Sequence, residues 1–206
     1  YLLGFICCVP WLVYTYSLTG LVMYWGSAGG MSLYWMSTPY EQELGDWYHH
    51  GNVNDIGELK LNHSGIFDKV TKKNEGATPE EQLFNLSTPE SEQVFKKKAL
   101  ENIKAHPGKY LLNCFYNAGR LLFDYPYTFK GKELLKSLYF WLNLPLLLLW
   151  IVSFFLKIRR FNEISSRFLF IDIFLLITIG GSILVSAEGR MMIPNIPLLL
   201  VGIIPL

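Results

Sequence analysis

Residues 137–156 carry no Asp, Glu, Lys or Arg, and residues 168–187 carry only one, Asp172. A helix needs ~20 apolar residues to cross the hydrocarbon core of a bilayer. A charge held there costs several kcal/mol. Acids and bases instead crowd into residues 41–136 and 157–167. The chain is 51% hydrophobic and 16% aromatic, with a net charge of +1. That balance gives no electrostatic reason to expect a nucleic-acid partner. Block segregation of this kind predicts a mainly α-helical, polytopic membrane protein, because backbone groups in lipid must be satisfied within their own segment.

The chain opens on Tyr1 within an apolar run and closes within another. It therefore reads as an internal fragment of a longer membrane protein. Residues 1–14 are the expected end of one membrane helix and residues 191–206 the expected start of another. Lys157, Arg159, Arg160 and Arg167 stand against Glu163 in the short connection 157–167. The positive-inside rule makes that connection cytoplasmic. By alternation, residues 15–136 form a large extracytoplasmic loop and Glu188-Gly189-Arg190 an outer turn. Tyr14, Tyr16, Tyr139, Phe140 and Trp141 then fall at the outer interface, where aromatic rings concentrate.

Within the loop, residues 15–66 read as irregular, with short extended runs and turns. Residues 67–136 read as largely helical. Thr78-Pro79-Glu80-Glu81 and Ser87-Thr88-Pro89-Glu90 are helix-start signals. A helix is predicted from Glu90 to about Ala105, ended by Pro107-Gly108. A second, 109–123, has an apolar face of Leu111, Leu112, Phe115, Leu122 and Phe123. It is expected to lie at the membrane surface as a juxtamembrane helix; the alternative is packing on the loop's own core. Cys7, Cys8 and Cys114 show no CxxC spacing and read as buried free thiols.

Several residues invite a chemical role. Pro10-Trp11 leads through Tyr14, Tyr16 and Gly20 into Tyr24-Trp25-Gly26-Ser27-Ala28-Gly29-Gly30, then Tyr34-Trp35 and Gly45-Asp46-Trp47. Such a glycine and aromatic run suits a backbone folding close to a cavity, with flat rings against sugar faces; an interfacial aromatic belt explains it equally. Arg190 stands at the outer boundary, where its planar fork suits a phosphate, or where it snorkels or pairs with Glu188. Lys109 and Arg120 are lesser cationic candidates. Asp46, Glu43, His49 and His50, with His63 nearby, hint at a metal, but adjacent histidines diverge and no metal is assigned. Asp172 lies near the cytoplasmic end of its span and is expected to snorkel there.

The ordered set of these motifs resembles a family of bacterial glycosyltransferases of the GT-C type, family 39-like and related to dolichyl-phosphate-mannose-protein mannosyltransferases. Three parts carry the resemblance. They are the Pro10-Trp11 to Trp47 segment, the helix and His106-Pro107-Gly108 step, and Glu188-Gly189-Arg190-Met191-Met192-Ile193-Pro194-Asn195-Ile196-Pro197. Met191 departs from the family's usual aromatic. The resemblance implies a membrane glycosyltransferase, hexosyl- or mannosyl-type. It would take sugar from a polyprenyl-phosphate donor and pass it to a protein or glycolipid acceptor on the outer face of a bacterial inner membrane, without a cofactor. Arg190, Glu188, Tyr34, Trp35, Gly29 and Gly30 are the implied substrate-binding residues. The family's acidic general base lies in an earlier outer loop, so the catalytic residue is expected upstream and this fragment is expected to be inactive alone. A non-enzymatic receptor or assembly protein with an outer sensor loop is the alternative, and a transporter a third.

Overall fold

A computed structural model of the chain describes residues 2–20, 22, 29–48, 56–70, 89–129, 134–159 and 166–203. It is mainly helical, with no strand among the described residues. The α-helices are α1 (Leu2–Thr19), α2 (Gly29–Met36), α3 (Gly57–Val70), α4 (Pro89–Ala105), α5 (Pro107–Phe123), α6 (Leu138–Arg159), α7 (Ser166–Ile183) and α8 (Ile196–Ile203). Two 3-10 helices, Leu134–Lys136 and Gly189–Asn195, precede α6 and α8. Among the described residues α6 is the one helix long and apolar enough to cross a membrane; shorter apolar helices cover Ile6–Thr19, Leu169–Ile183 and Gly189–Ile203.

Helices α4 and α5 have the bounds their caps dictate. Pro89 opens α4, with Glu90 and Glu92 in its first turn. Pro107 stops α4 and serves as the first residue of α5, the helical position where a missing N–H costs nothing. Asp124 closes α5 in the left-handed conformation, φ 57°. Residues 15–66 differ from expectation. Helix α1 continues to Thr19, and α2 and α3 replace the irregular and extended structure expected there. The signals at Thr78–Glu81 and Ser87-Thr88 lie outside the described residues.

The chain forms two compact units, residues 1–31 with 50–97 and residues 32–49 with 98–206. In the first, Phe67 of α3 and Phe95 of α4 are each 1% exposed and meet at a ring separation of 5.3 Å. Gly30 opens α2, its N–H donating to the Glu92 carboxylate. A Cβ at position 30 would come within 2.4 Å of the Glu92 carbonyl oxygen, so the glycine is required by close approach.

The second unit is built around Leu121, Leu147, Trp150, Leu175, Met192 and Leu199, drawn from α5, α6, α7 and the Gly189–Ile203 segment. Outside that core, α6 and α7 expose apolar side chains along most of their length, including Leu142, Leu148, Val152, Phe155, Ile173 and Ile177. Cys114 is buried, as expected, whereas Cys7 is exposed on α1.

Candidate functional site

Helix α5 buries polar side chains beside Leu121 and Cys114. Asn113, Asn117 and Arg120 follow the i, i+4, i+7 spacing of one helical face, and all three are fully buried. Leu111 (67% exposed) and Phe115 (79% exposed) stand on the opposite face, flanked by exposed Leu112. The buried amides serve as caps for other segments. Asn113 Nδ2 donates to the carbonyls of Met36 (3.0 Å) and Thr38 (3.2 Å). Asn117 Nδ2 donates to the carbonyls of Ser182 (3.1 Å), Ile183 (3.0 Å) and Val185, and its Oδ1 accepts from the Ala187 N–H at 3.0 Å. The end of α7 leaves carbonyls without intrahelical partners, and Asn117 supplies their donors. Asn143 of α6 likewise donates to the Leu122 carbonyl.

Arg120 donates to the carbonyls of Leu44 (2.9 Å) and Pro126 (3.3 Å) and to Asn117 Oδ1 (3.1 Å). Burial lowers its pKa, and the nearby Asp46 carboxylate opposes that shift. Asp46 is buried and accepts from Tyr48 Oη and from the Thr128 backbone and hydroxyl. Burial, then the Asp46 charge, raises the Tyr48 pKa. Arg120 is thus committed to the interior. Lys109, the other lesser cationic candidate, donates to the Glu43 carbonyl at 2.6 Å, which fastens α5 to the stretch that follows α2.

The C-terminal end of α5 supports the turn that carries Glu188 and Arg190. Gly189 lies so near that a Cβ there would sit 3.1 Å from Asp124 Cβ and 3.4 Å from the Arg120 carbonyl oxygen. Arg190 Nε lies 2.9 Å from Glu188 Oε2, and the Arg190 side chain is 73% exposed. Nearby in sequence, Ile193 and Ile196 line an apolar groove of about 680 Å³, together with Leu138, Trp141, Leu142 and Pro145 among others. A 3-10 helix repeats every three residues. Within Gly189–Asn195, Arg190 and Ile193 therefore share a face, and Ile196 follows at the same spacing. A cation thus stands at one end of a row of apolar side chains.

Glu188 and Arg190 form the ion pair above. Gly29 and Gly30 open α2 against Glu92. Tyr34 and Trp35 are 4% and 1% exposed. Trp35 meets Tyr48 edge-on at 5.5 Å, so these two rings fill the interior rather than line an open surface. His63 is buried in α3; His49 and His50 lie outside the described residues. Among the described residues no group of three or more His, Cys, Asp or Glu is close enough to hold a metal ion.

Asp172 does not snorkel. It is fully buried, accepting from Lys157 Nζ at 2.9 Å and from Trp150 Nε1 at 2.8 Å. Lys157, expected in the charged connection, is 1% exposed within α6. The physical reason is mutual: an acid and a base on adjacent apolar helices satisfy each other at lower cost than either reaching water alone. A lone acid in one apolar run, with a lysine at the end of the run before it, was the available signal for this pair.

No family model matches the chain, and no curated protein and no solved structure matches it.

Proposed function

We propose that the chain is part of a polytopic membrane glycosyltransferase of the GT-C type. In this reading it passes a sugar from a polyprenyl-phosphate donor to a protein or glycolipid acceptor on the outer face. The observation that carries the reading is the groove at the start of α6 with Arg190 on the same helical face as Ile193. An apolar channel with a cation at one end matches an isoprenoid chain with a phosphate head. Arg190 would take the phosphate with its planar fork, and Glu188, held at its Nε edge, would orient the guanidinium. Sugar transfer from such a donor expels the polyprenyl phosphate as the acceptor hydroxyl loses its proton to a general base. That base belongs, on this reading, to a preceding part of the protein.

The membrane reading draws support from α5. A helix with Asn113, Asn117 and Arg120 inside and Leu111 and Phe115 outside suits surroundings less polar than its own interior. Tyr110 Oη donates to the Leu184 carbonyl at 2.9 Å, and Ser137 Oγ donates to the Phe123 carbonyl at 2.9 Å. Helix α5 thereby touches the end of α7 and the approach to α6, as a juxtamembrane helix at the outer leaflet would. The apolar outer surfaces of α1, α6 and α7 would then face lipid.

The test uses the full-length protein in lipid nanodiscs with a panel of polyprenyl-phosphate sugars. Arg190→Ala is expected to lower transfer by ~100-fold or more while insertion is kept, since a lost charge-assisted contact to a developing phosphate is worth ~3 kcal/mol. Unchanged turnover removes Arg190 from the donor site. Absence of transfer from every donor by the unaltered protein, with retained binding of an outer ligand, favours the receptor reading.

A further inference from the structure

The 3-10 helix Gly189–Asn195 runs into α8 without a break: Ile196 is right-handed helical and its N–H donates to the Ile193 carbonyl. Residues 189–203 therefore form one rod, with Arg190 near its start and Gly202 near its end. By helical rise the two are ~20 Å apart. Both ends are fastened. At the first, Gly189 rests on Asp124 and the Arg120 carbonyl. At the second, the Gly202 carbonyl accepts from Ser153 Oγ at 2.9 Å and from Lys157 Nζ. Lys157 in turn is held by Asp172, and Asp172 by Trp150. Ser153, Lys157 and Asp172 are all buried to 1% exposure or less. A Cβ at position 202 would lie 3.1 Å from Trp150 Cδ1 and 3.3 Å from Asp172 Oδ1, so a side chain there would crowd the pair that the carbonyl reaches.

This arrangement joins α6, α7 and α8 at a single height. Apolar helix surfaces repeat every turn and pack at more than one register. A lone ion pair on a carbonyl has one partner and therefore one register, the best-attested use of buried polar groups. We propose that Lys157 and Asp172 are positioning residues that set the height of the 189–203 rod and so hold Arg190 in register with the groove-lining Ile193 and Ile196. The proposal rests on the donor-site reading of Arg190.

The experiment uses the full-length protein in lipid nanodiscs with spin labels at the exposed positions Leu111 and Met191. The variant is the double substitution Lys157→Met with Asp172→Leu, which leaves no stranded charge. Unaltered protein and Lys157→Arg are expected to give one narrow label distance. The apolar pair is expected to add a second population displaced by about one helical turn, ~5 Å. A single narrow distance in the apolar pair, equal to that of the unaltered protein, overturns the proposal. In donor kinetics the apolar pair is expected to lower kcat/KM by up to ~100-fold, the scale of losing the Arg190 contact itself. In an Arg190→Ala background it is expected to add nothing. Multiplying effects in that background show that the pair does not act through Arg190, and overturn the proposal. Should Arg190→Ala alone leave donor kinetics unchanged, the donor reading fails and the label distance still decides whether the pair sets the rod.

Discussion

Replacing Asn117 by Leu keeps nearly the same volume and removes every polar contact of the side chain. The amide has two N–H groups, so at any moment it serves two of the carbonyls of Ser182, Ile183 and Val185. Its oxygen serves the Ala187 N–H and Arg120. Asn117 is fully buried, so water cannot replace what is lost. Each stranded group costs ~1–3 kcal/mol. Two carbonyls, the Ala187 N–H and one Arg120 N–H, less the ~1–2 kcal/mol gained by burying an apolar side chain, leave a loss of at least ~4 kcal/mol. For a chain of this size each kcal/mol moves Tm by ~2–4 °C, so a fall of ~8–16 °C is expected. The assay is thermal unfolding of the protein in detergent, followed by tryptophan fluorescence. Asn143→Leu, which gives up the bond to the Leu122 carbonyl, is the internal comparison and should cost ~1 kcal/mol. Equal melting of the two variants would refute the claim that Asn117 closes the end of α7.

Two further outcomes follow from the same unit. Gly119→Ala is expected to destabilise by ~1–3 kcal/mol, because its Cβ would come 2.6 Å from the Tyr125 carbonyl oxygen; Gly108→Ala, with nothing within 4 Å, should not, and paired melting curves compare them. Alkaline pH should unfold the protein. Burial raises the pKa of Tyr34, Tyr48 and Tyr127, and that of Tyr110 is pushed up to about 12 by burial and by its neighbour Cys114. Unfolded phenols ionise near pH 10 while these hold their protons, so stability present below pH 10 is lost as the pH rises toward 12. A flat Tm across that interval contradicts the burial of these phenols.

Helix boundaries were legible where local chemistry writes them. Pro89 with Glu90, and Pro107 after Ala105, mark starts and stops that depend on neighbouring residues alone. Helix α2 was not legible, because Gly29-Gly30 argues against a helix and its cap is Glu92, distant in sequence. For α5 the period was readable but its direction was not. Periodicity says that Leu111 and Phe115 oppose Asn113 and Asn117, and only the surroundings decide which side faces in. Arg190 with Glu188 could be named from the sequence, whereas the groove could not, since it joins residues 138–146 to Ile193 and Ile196. The Lys157–Asp172 pair was hidden by a reasonable rule. A charge near the end of an apolar run usually reaches for water, and here a partner on the adjacent helix is closer.

The polar side chains that α5 buries have a practical consequence for anyone wishing to isolate the portion outside the apolar helices. Trimming the chain to residues 15–136 removes Ser182, Ile183, Val185 and Ala187, so the Asn117 amide would be left inside with nothing to hold. The greasy strip of Leu111, Leu112 and Phe115 would meanwhile meet water directly. Such a fragment is expected to precipitate on expression, and a well-behaved piece is expected to need residues 182–187 together with α5.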